Sequence, residues 1–391
     1  MNIDNLFQEF YDNYGNSSIK PALYFAPGRV NLIGEHTDYN GGFVFPCALQ
    51  YGTYLLIRET DEPFIKLAST NFSEKNKFPS DSPIEKQTVR WFNYPLAVMD
   101  QLVKRGISMA GMELLFYGDI PTGAGLSSSA SIEMVTAFAL NDLLNAGLDR
   151  IDLVHLAKQA ENEFVGVNCG IMDMFAIGMC KANHAIFLNC HTLEYKLIPV
   201  LIPGFKLVIV NTNKQRGLAD SKYNERVAEC QLGVVYLSQI FTISRLGDIG
   251  YPQFFKVQEK IPDEVIRRRV RHVISENQRV LNAVSCLLKS DLSQFGALMN
   301  ASHDSLKENY EVTGFELDTL VDEARKVSGV IGARMTGAGF GGCTVNLVRE
   351  ESVERFIYEV GIGYTAGTGL MADFYIAEIG DGVRKLKSLG V

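Results

Sequence analysis

Met335-Thr336-Gly337-Ala338-Gly339-Phe340-Gly341-Gly342-Cys343, followed by Thr344-Val345-Asn346-Leu347-Val348, is the stretch on which the fold turns. Gly337, Gly339 and Gly342 satisfy the Gly-x-Gly-x-x-Gly fingerprint of a dinucleotide-binding unit. That unit needs a helix directly after its glycines, so that a pyrophosphate meets a helix N-terminus. The run 344–348 predicts a strand instead. A dinucleotide fold is thereby excluded for this segment. The glycines read as a backbone loop that must pass close to another loop or its ligand. Outward from it, Lys206-Leu207-Val208-Ile209-Val210 predicts a strand after Pro203-Gly204, and 219–310 reads as mostly helical. Strands and helices do not alternate strictly, which favours α+β over a doubly wound sheet. A boundary near 204 divides an expected N-terminal domain, 1–204, from a C-terminal one, 205–391.

The chain has 391 residues, 47% hydrophobic and 21% charged, the composition of a globular protein. Lys and Arg number 37 and Asp and Glu 45, leaving a net charge of −8. That sign repels a phosphate backbone and argues against a nucleic-acid partner. The basic run Arg267-Arg268-Arg269-Val270-Arg271-His272 follows Asp263 and Glu264 and is expected to be a solvated helix face. No apolar run approaches the ~18 residues of a membrane span, and the start, Met1-Asn2-Ile3-Asp4-Asn5, is unlike a signal peptide. The seven cysteines include no Cys-x-x-Cys pair. They read as small buried hydrophobes of a reduced, cytoplasmic protein without a membrane partner.

Two further loops carry chemistry. Gly28-Arg29-Val30-Asn31-Leu32-Ile33-Gly34-Glu35-His36-Thr37-Asp38-Tyr39 crowds Arg, Glu, His and Asp between glycines. Short polar groups of this kind suit a polyol better than a lipid. Pro121-Thr122-Gly123-Ala124-Gly125-Leu126-Ser127-Ser128-Ser129-Ala130 runs into a helix predicted over 130–145. A Gly-rich approach, free N–H groups and the positive end of the helix dipole make an anion site. The serine hydroxyls suit phosphate oxygens or Mg²⁺. No Gly-Lys-Ser/Thr follows, so this is not a P-loop. The protein-kinase triplets His-Arg-Asp and Asp-Phe-Gly are absent as well. Helices are also expected over 90–106 and from a cap at Asp152. By pattern alone, Glu161 on the latter reads as an exposed helical residue near Lys158.

Together the loops resemble the GHMP small-molecule kinases. The first is similar to the signature of the galactokinase family within them, as are Cys169-Gly170-Ile171-Met172-Asp173 and Ser221-Lys222-Tyr223-Asn224-Glu225-Arg226. The resemblance spans residues 24–343 in order. One departure is Met174, where many relatives carry Gln. The resemblance implies a two-domain α+β GHMP kinase fold, with an N-terminal ribosomal-S5-domain-2-like domain and a C-terminal ferredoxin-like domain. ATP and sugar would meet in the cleft between them. It also implies γ-phosphoryl transfer to the anomeric hydroxyl of α-D-galactose by a monomer, with ATP and Mg²⁺ as cofactors. Asp173 would be the base and Arg29 its partner. Glu35, His36, Thr37, Asp38, Gly170 and Tyr223 would contact sugar. Ser69, Gly123, Ala124, Gly125, Leu126, Ser127, Ser128 and Ser129 would meet the nucleotide, and Ser129 and Glu161 the metal. Tyr223 also lies with Val227, Cys230, Val234 and Leu237 on an apolar helical stripe, so its ring can pack while its hydroxyl stays free. Alternatives are a kinase for N-acetylgalactosamine or another sugar, and a catalytically silent galactose sensor. The intact Ser-Ser-Ser-Ala run and Asp173 favour an enzyme.

Overall fold

The computed structural model describes residues 3–386 apart from 122–123, 168 and 215–218. The strands of the N-terminal half are β1 (Ala22–Asn31), β2 (Phe43–Val44), β3 (Pro46–Glu59), β4 (Phe64–Ser69), β5 (Asn76–Pro79), β6 (Met112–Gly118), β7 (His184–Asn189) and β8 (Tyr195–Pro199). Those that follow are β9 (Phe205–Asn211), β10 (Val330–Thr336), β11 (Cys343–Arg349), β12 (Asp373–Ala377) and β13 (Arg384–Leu386). They form a six-stranded sheet, β13-β1-β3-β6-β4-β5, a four-stranded sheet, β10-β11-β9-β12, and a three-stranded sheet, β2-β7-β8. Within the six-stranded sheet only β4 and β6 run parallel, while the four-stranded sheet is antiparallel throughout. The segregation of helices and sheets is that of an α+β protein.

The 204 boundary falls between β8 and β9, where the chain passes from the three-stranded to the four-stranded sheet. The tail then returns: β13 pairs with β1, Leu23 opposite Leu386. One apolar core lies between the six-stranded sheet and helices 93–104, 128–143, 150–159 and 172–179. A second draws Val30, Phe45 and Leu126 from the first half and Ile209, Phe295 and Val345 from the second. The halves are thus joined by a shared apolar cluster. The seven cysteines are free, and no described helix is long and apolar enough to cross a membrane.

Two sequence expectations change. The helix Arg150–Gln159 is capped by Asp149, not Asp152; Asp152 stands three residues on and completes a capping box. The basic run is only partly a solvated face. Arg269 and His272 are buried, and the Arg269 guanidinium bonds Glu229, Glu311 and the Asn309 carbonyl. Arg267 and Arg268 pair with acidic side chains too.

Candidate active site

β1 carries the polar signature out of the sheet. At Gly28 its register with β3 shifts, and a Cβ there would lie 2.7 Å from the Leu126 carbonyl. Only glycine lets the two loops come this close. The Arg29 N–H donates to that carbonyl at 3.1 Å, which fixes the Arg29 side chain beneath the phosphate loop. Its Nε and Nη2 donate to Asp173 Oδ1 and Oδ2, each at 2.8 Å, and its Nη1 donates to the Gly125 carbonyl at 2.9 Å. This two-pronged pairing is the geometry a guanidinium offers and an ammonium cannot. Asp173 sits in the first turn of the helix Met172–Met179, where the dipole favours a carboxylate.

Ser127 stands at φ +63°, outside the helix that begins at Ser128. Its hydroxyl donates to Asp173 Oδ2 at 2.5 Å. Ser128 and Ser129 stay accessible on the cavity wall. The cavity, about 390 Å³, lies over this helix start, with Arg29, Asp173 and Glu161 on its wall. The polar loop forms its opposite side through Glu35, His36 and Asp38, joined by Gly170 and Tyr223.

Each of these side chains has a definite state. The Glu35 carboxylate accepts from the Gly337 N–H at 2.7 Å, from Arg334 Nη1 at 3.4 Å and from Asn31 Nδ2. Burial pushes its pKa up and Arg334 pulls it back. Its bonds therefore tie the polar loop to the glycine loop 337–342. Burial pushes His36 down to about 3, so the ring is neutral at pH 7; its Nδ1 meets the Tyr39 hydroxyl at 2.9 Å. Burial, then the nearby Asp173 charge, raises Asp38 to about 6. A Cβ on Gly170 would fall 1.7 Å from Asp38 Oδ2, so any larger residue there would displace the Asp38 carboxylate. The Tyr223 ring lies 5.8 Å from His36 and 5.3 Å from Tyr39, packed and lining the cavity at once.

Not every expected residue reaches the cavity. Thr37 is fully buried, its hydroxyl shared between the Gly34 and Phe43 carbonyls. Ala124 and Leu126 are buried in the shared apolar core. Ser69 ends β4 and accepts from the Asn71 N–H at 3.1 Å, away from the cavity wall. Gly123 lies outside the described residues. Conversely, Arg90, Tyr94 and Cys169 line the cavity without a sequence signal that would single them out.

Glu161 is 7% exposed, unlike the solvated residue its pattern suggests. It sits in a π-helical turn, Ala160–Val165, that widens the helix after Gln159 and swings the carboxylate toward the cavity. Burial raises its pKa, while Cys169 and Ser129 stand close enough to pull it down. Nearby, the fully buried Glu133 has no hydrogen-bond partner on either carboxylate oxygen. Two buried carboxylates beside a serine hydroxyl are an oxygen set that suits a hard divalent cation. Among the described residues no group of three His, Cys, Asp or Glu could hold an ion unaided. A cation here would complete its coordination with phosphate and water oxygens.

The comparisons with known proteins agree with this arrangement. A family profile described as the galactokinase galactose-binding signature matches residues 8–59. The GHMP kinase N-terminal and C-terminal domain profiles match 93–181 and 283–365. A Clostridium beijerinckii galactokinase is 50% identical over 368 residues, covering 93% of this chain and 95% of its own. A Bacillus subtilis galactokinase is 48% identical over 369 residues, covering 93% and 94%. The crystal structure of Lactococcus lactis galactokinase complexed with galactose superposes with a TM-score of 0.95 at 44% identity, covering 98% of this chain and 100% of that one. Methanococcus jannaschii mevalonate kinase, 22% identical with a TM-score of 0.64 over 91% of this chain and 98% of that one, shares the fold.

Proposed function

We propose, for a chain that belongs to the galactokinase family of GHMP kinases, that its cleft moves the γ-phosphoryl group of ATP to the anomeric hydroxyl of α-D-galactose. The products are galactose 1-phosphate and ADP, and the reaction opens galactose metabolism. The observation that carries this reading is the bidentate Arg29–Asp173 pair, set between a helix-start anion site and a polyol-suited loop.

Phosphoryl transfer asks for an in-line nucleophile and neutralised charge more than for covalent chemistry from the protein. Asp173 Oδ2 is engaged by Ser127 and Arg29, whereas Oδ1 holds one bond. A carboxylate oxygen has two acceptor positions, so Oδ1 keeps one for the sugar hydroxyl. As the new O–P bond forms and the bond to the β-phosphate bridging oxygen breaks, the hydroxyl proton passes to Asp173. Arg29 holds Asp173 in place and lends positive charge to the phosphoryl group. His36, neutral, and Asp38, an acceptor when ionised, orient the sugar together with Tyr223. Ser127, Ser128, Ser129 and backbone N–H groups at the helix start hold the phosphates. Ser129 and Glu161 would hold Mg²⁺, which would supply neutralisation of phosphate charge there. The free cysteines suit the cytoplasm.

ADP release measured by a coupled assay with galactose, N-acetylgalactosamine, glucose and arabinose tests the assignment. Turnover with galactose is expected. Binding of sugar without ADP release from any of them would refute it. Asp173→Asn should lower kcat by about 10²–10⁴-fold, the usual worth of general-base help, with galactose still bound. A loss within about tenfold would leave Asp173 only an orienting role.

A further inference from the structure

We propose that Glu133 is a positioning residue of the metal site, accepting hydrogen bonds from the water molecules of the divalent cation bound by Ser129 and Glu161. The inference rests on the metal reading given above.

Ser129 and Glu133 lie four residues apart on the helix Ser128–Leu143, hence one turn apart on one face. Helical side chains slant toward the N-terminus, so the Glu133 carboxylate leans back over the turn that carries Ser129. Glu133 is 0% exposed and both its oxygens lack a partner. A buried carboxylate in that condition is among the costliest arrangements a protein can hold. Among the described residues Arg29 does not offset it, being spent on Asp173 and the Gly125 carbonyl. Glu161 stands close enough to act on Glu133, and Glu133 on Tyr94 and Cys169, all three on the cavity wall. The carboxylate therefore stands directly behind that wall, on the side of Glu161. Mg²⁺ gives up its waters reluctantly and usually keeps several. Those waters need acceptors, and Glu133 presents two unused oxygens where they would lie. Core packing gives no reason for a charged side chain at this position, whose helical neighbours Met134, Val135 and Ala137 are apolar and buried.

The test titrates the full chain with Mn²⁺, a paramagnetic stand-in for Mg²⁺, following the free-ion signal by electron paramagnetic resonance. Glu133→Gln keeps the shape and removes the charge. It should weaken Mn²⁺ binding about 10–100-fold, the usual cost of losing an outer partner of a metal site. Galactose affinity by calorimetry should hold and Tm should not fall, because removing an unpaired buried charge relieves a desolvation cost. Glu133→Asp, which keeps the charge, should recover part of the affinity and serves as the second variant should the amide fail to fold. Wild-type Mn²⁺ affinity in Glu133→Gln, with affinity lost in Glu161→Gln, would overturn the proposal and leave the metal reading standing. Wild-type affinity in both variants would overturn the two together.

Discussion

Asp38 is pulled in opposite directions by its two roles. Burial and the Asp173 charge raise its pKa to about 6, with Glu35 adding to the rise and the Tyr39 N–H and Arg29 opposing it. A raised carboxylate pKa favours the folded state at low pH, and that contribution is lost as pH rises through about 6. Sugar binding needs the ionised acceptor and so improves over the same interval. The kcat/KM for galactose should fall on the acid side with a midpoint near pH 6. Asp38→Asn should remove that limb and raise Tm at pH 7, as pH–rate profiles and thermal melts would show. A wild-type limb persisting in the variant would assign it to another group. Gly170→Ala tests the same contact by sterics, because its Cβ would fall 1.7 Å from Asp38 Oδ2. A displacement of about 1 Å at a reacting centre can cost about 10²-fold. Steady-state kinetics should show that loss in kcat/KM, carried mainly by KM.

At the scale of elements, the loops were legible in the sequence and the turns that aim them were not. Gly28, Gly125 and Gly337 stand out because close approach leaves a local mark, a glycine among polar residues. Pattern alone leaves Glu161 exposed, and only the resemblance points it to the metal, because a π turn has no sequence signature and ordinary helical spacing points its carboxylate elsewhere. Deleting Ala160 would restore regular geometry and rotate Glu161 about 100° around the axis. Activity should collapse while the circular dichroism spectrum is kept; an active deletion variant would show that the turn does not position Glu161. Arg334 is a different case, because its charge is explained only by a partner on another segment, Glu35, 299 residues away in the sequence. Arg90 and Tyr94 sit at the start of a helix whose pattern reads as ordinary packing. Asp152 reads as a cap because two acidic residues three apart, Asp149 and Asp152, share that job.

At the scale of the whole molecule, the polar loop is a bolt between halves. Arg334, with no exposed surface, donates to the Asn31 carbonyl at 3.0 Å and to Glu35, and reaches Ser302 Oγ at 3.3 Å. Glu276 accepts from the Gly34 N–H at 2.9 Å and from Ser302, and His272 meets the Glu35 carbonyl. The proposed sugar contacts are thereby fixed against helices of the second half. Arg334→Met should cost about 3–5 kcal/mol in urea unfolding, since it strands the buried Glu35 charge. The double variant Arg334→Met/Glu35→Gln should recover part of that; strict additivity would mean that the pair does not interact.

The return of β13 to the edge of β1 bears on how each copy is made. β1 leaves the ribosome long before β13, so the outer edge of β1 stays open while the chain between them is made. An open edge is a template for pairing with any other extended chain. Nascent copies spaced along one messenger therefore carry the same unpaired edge at the same time. Pairing of β13, described over three residues, is what closes that edge.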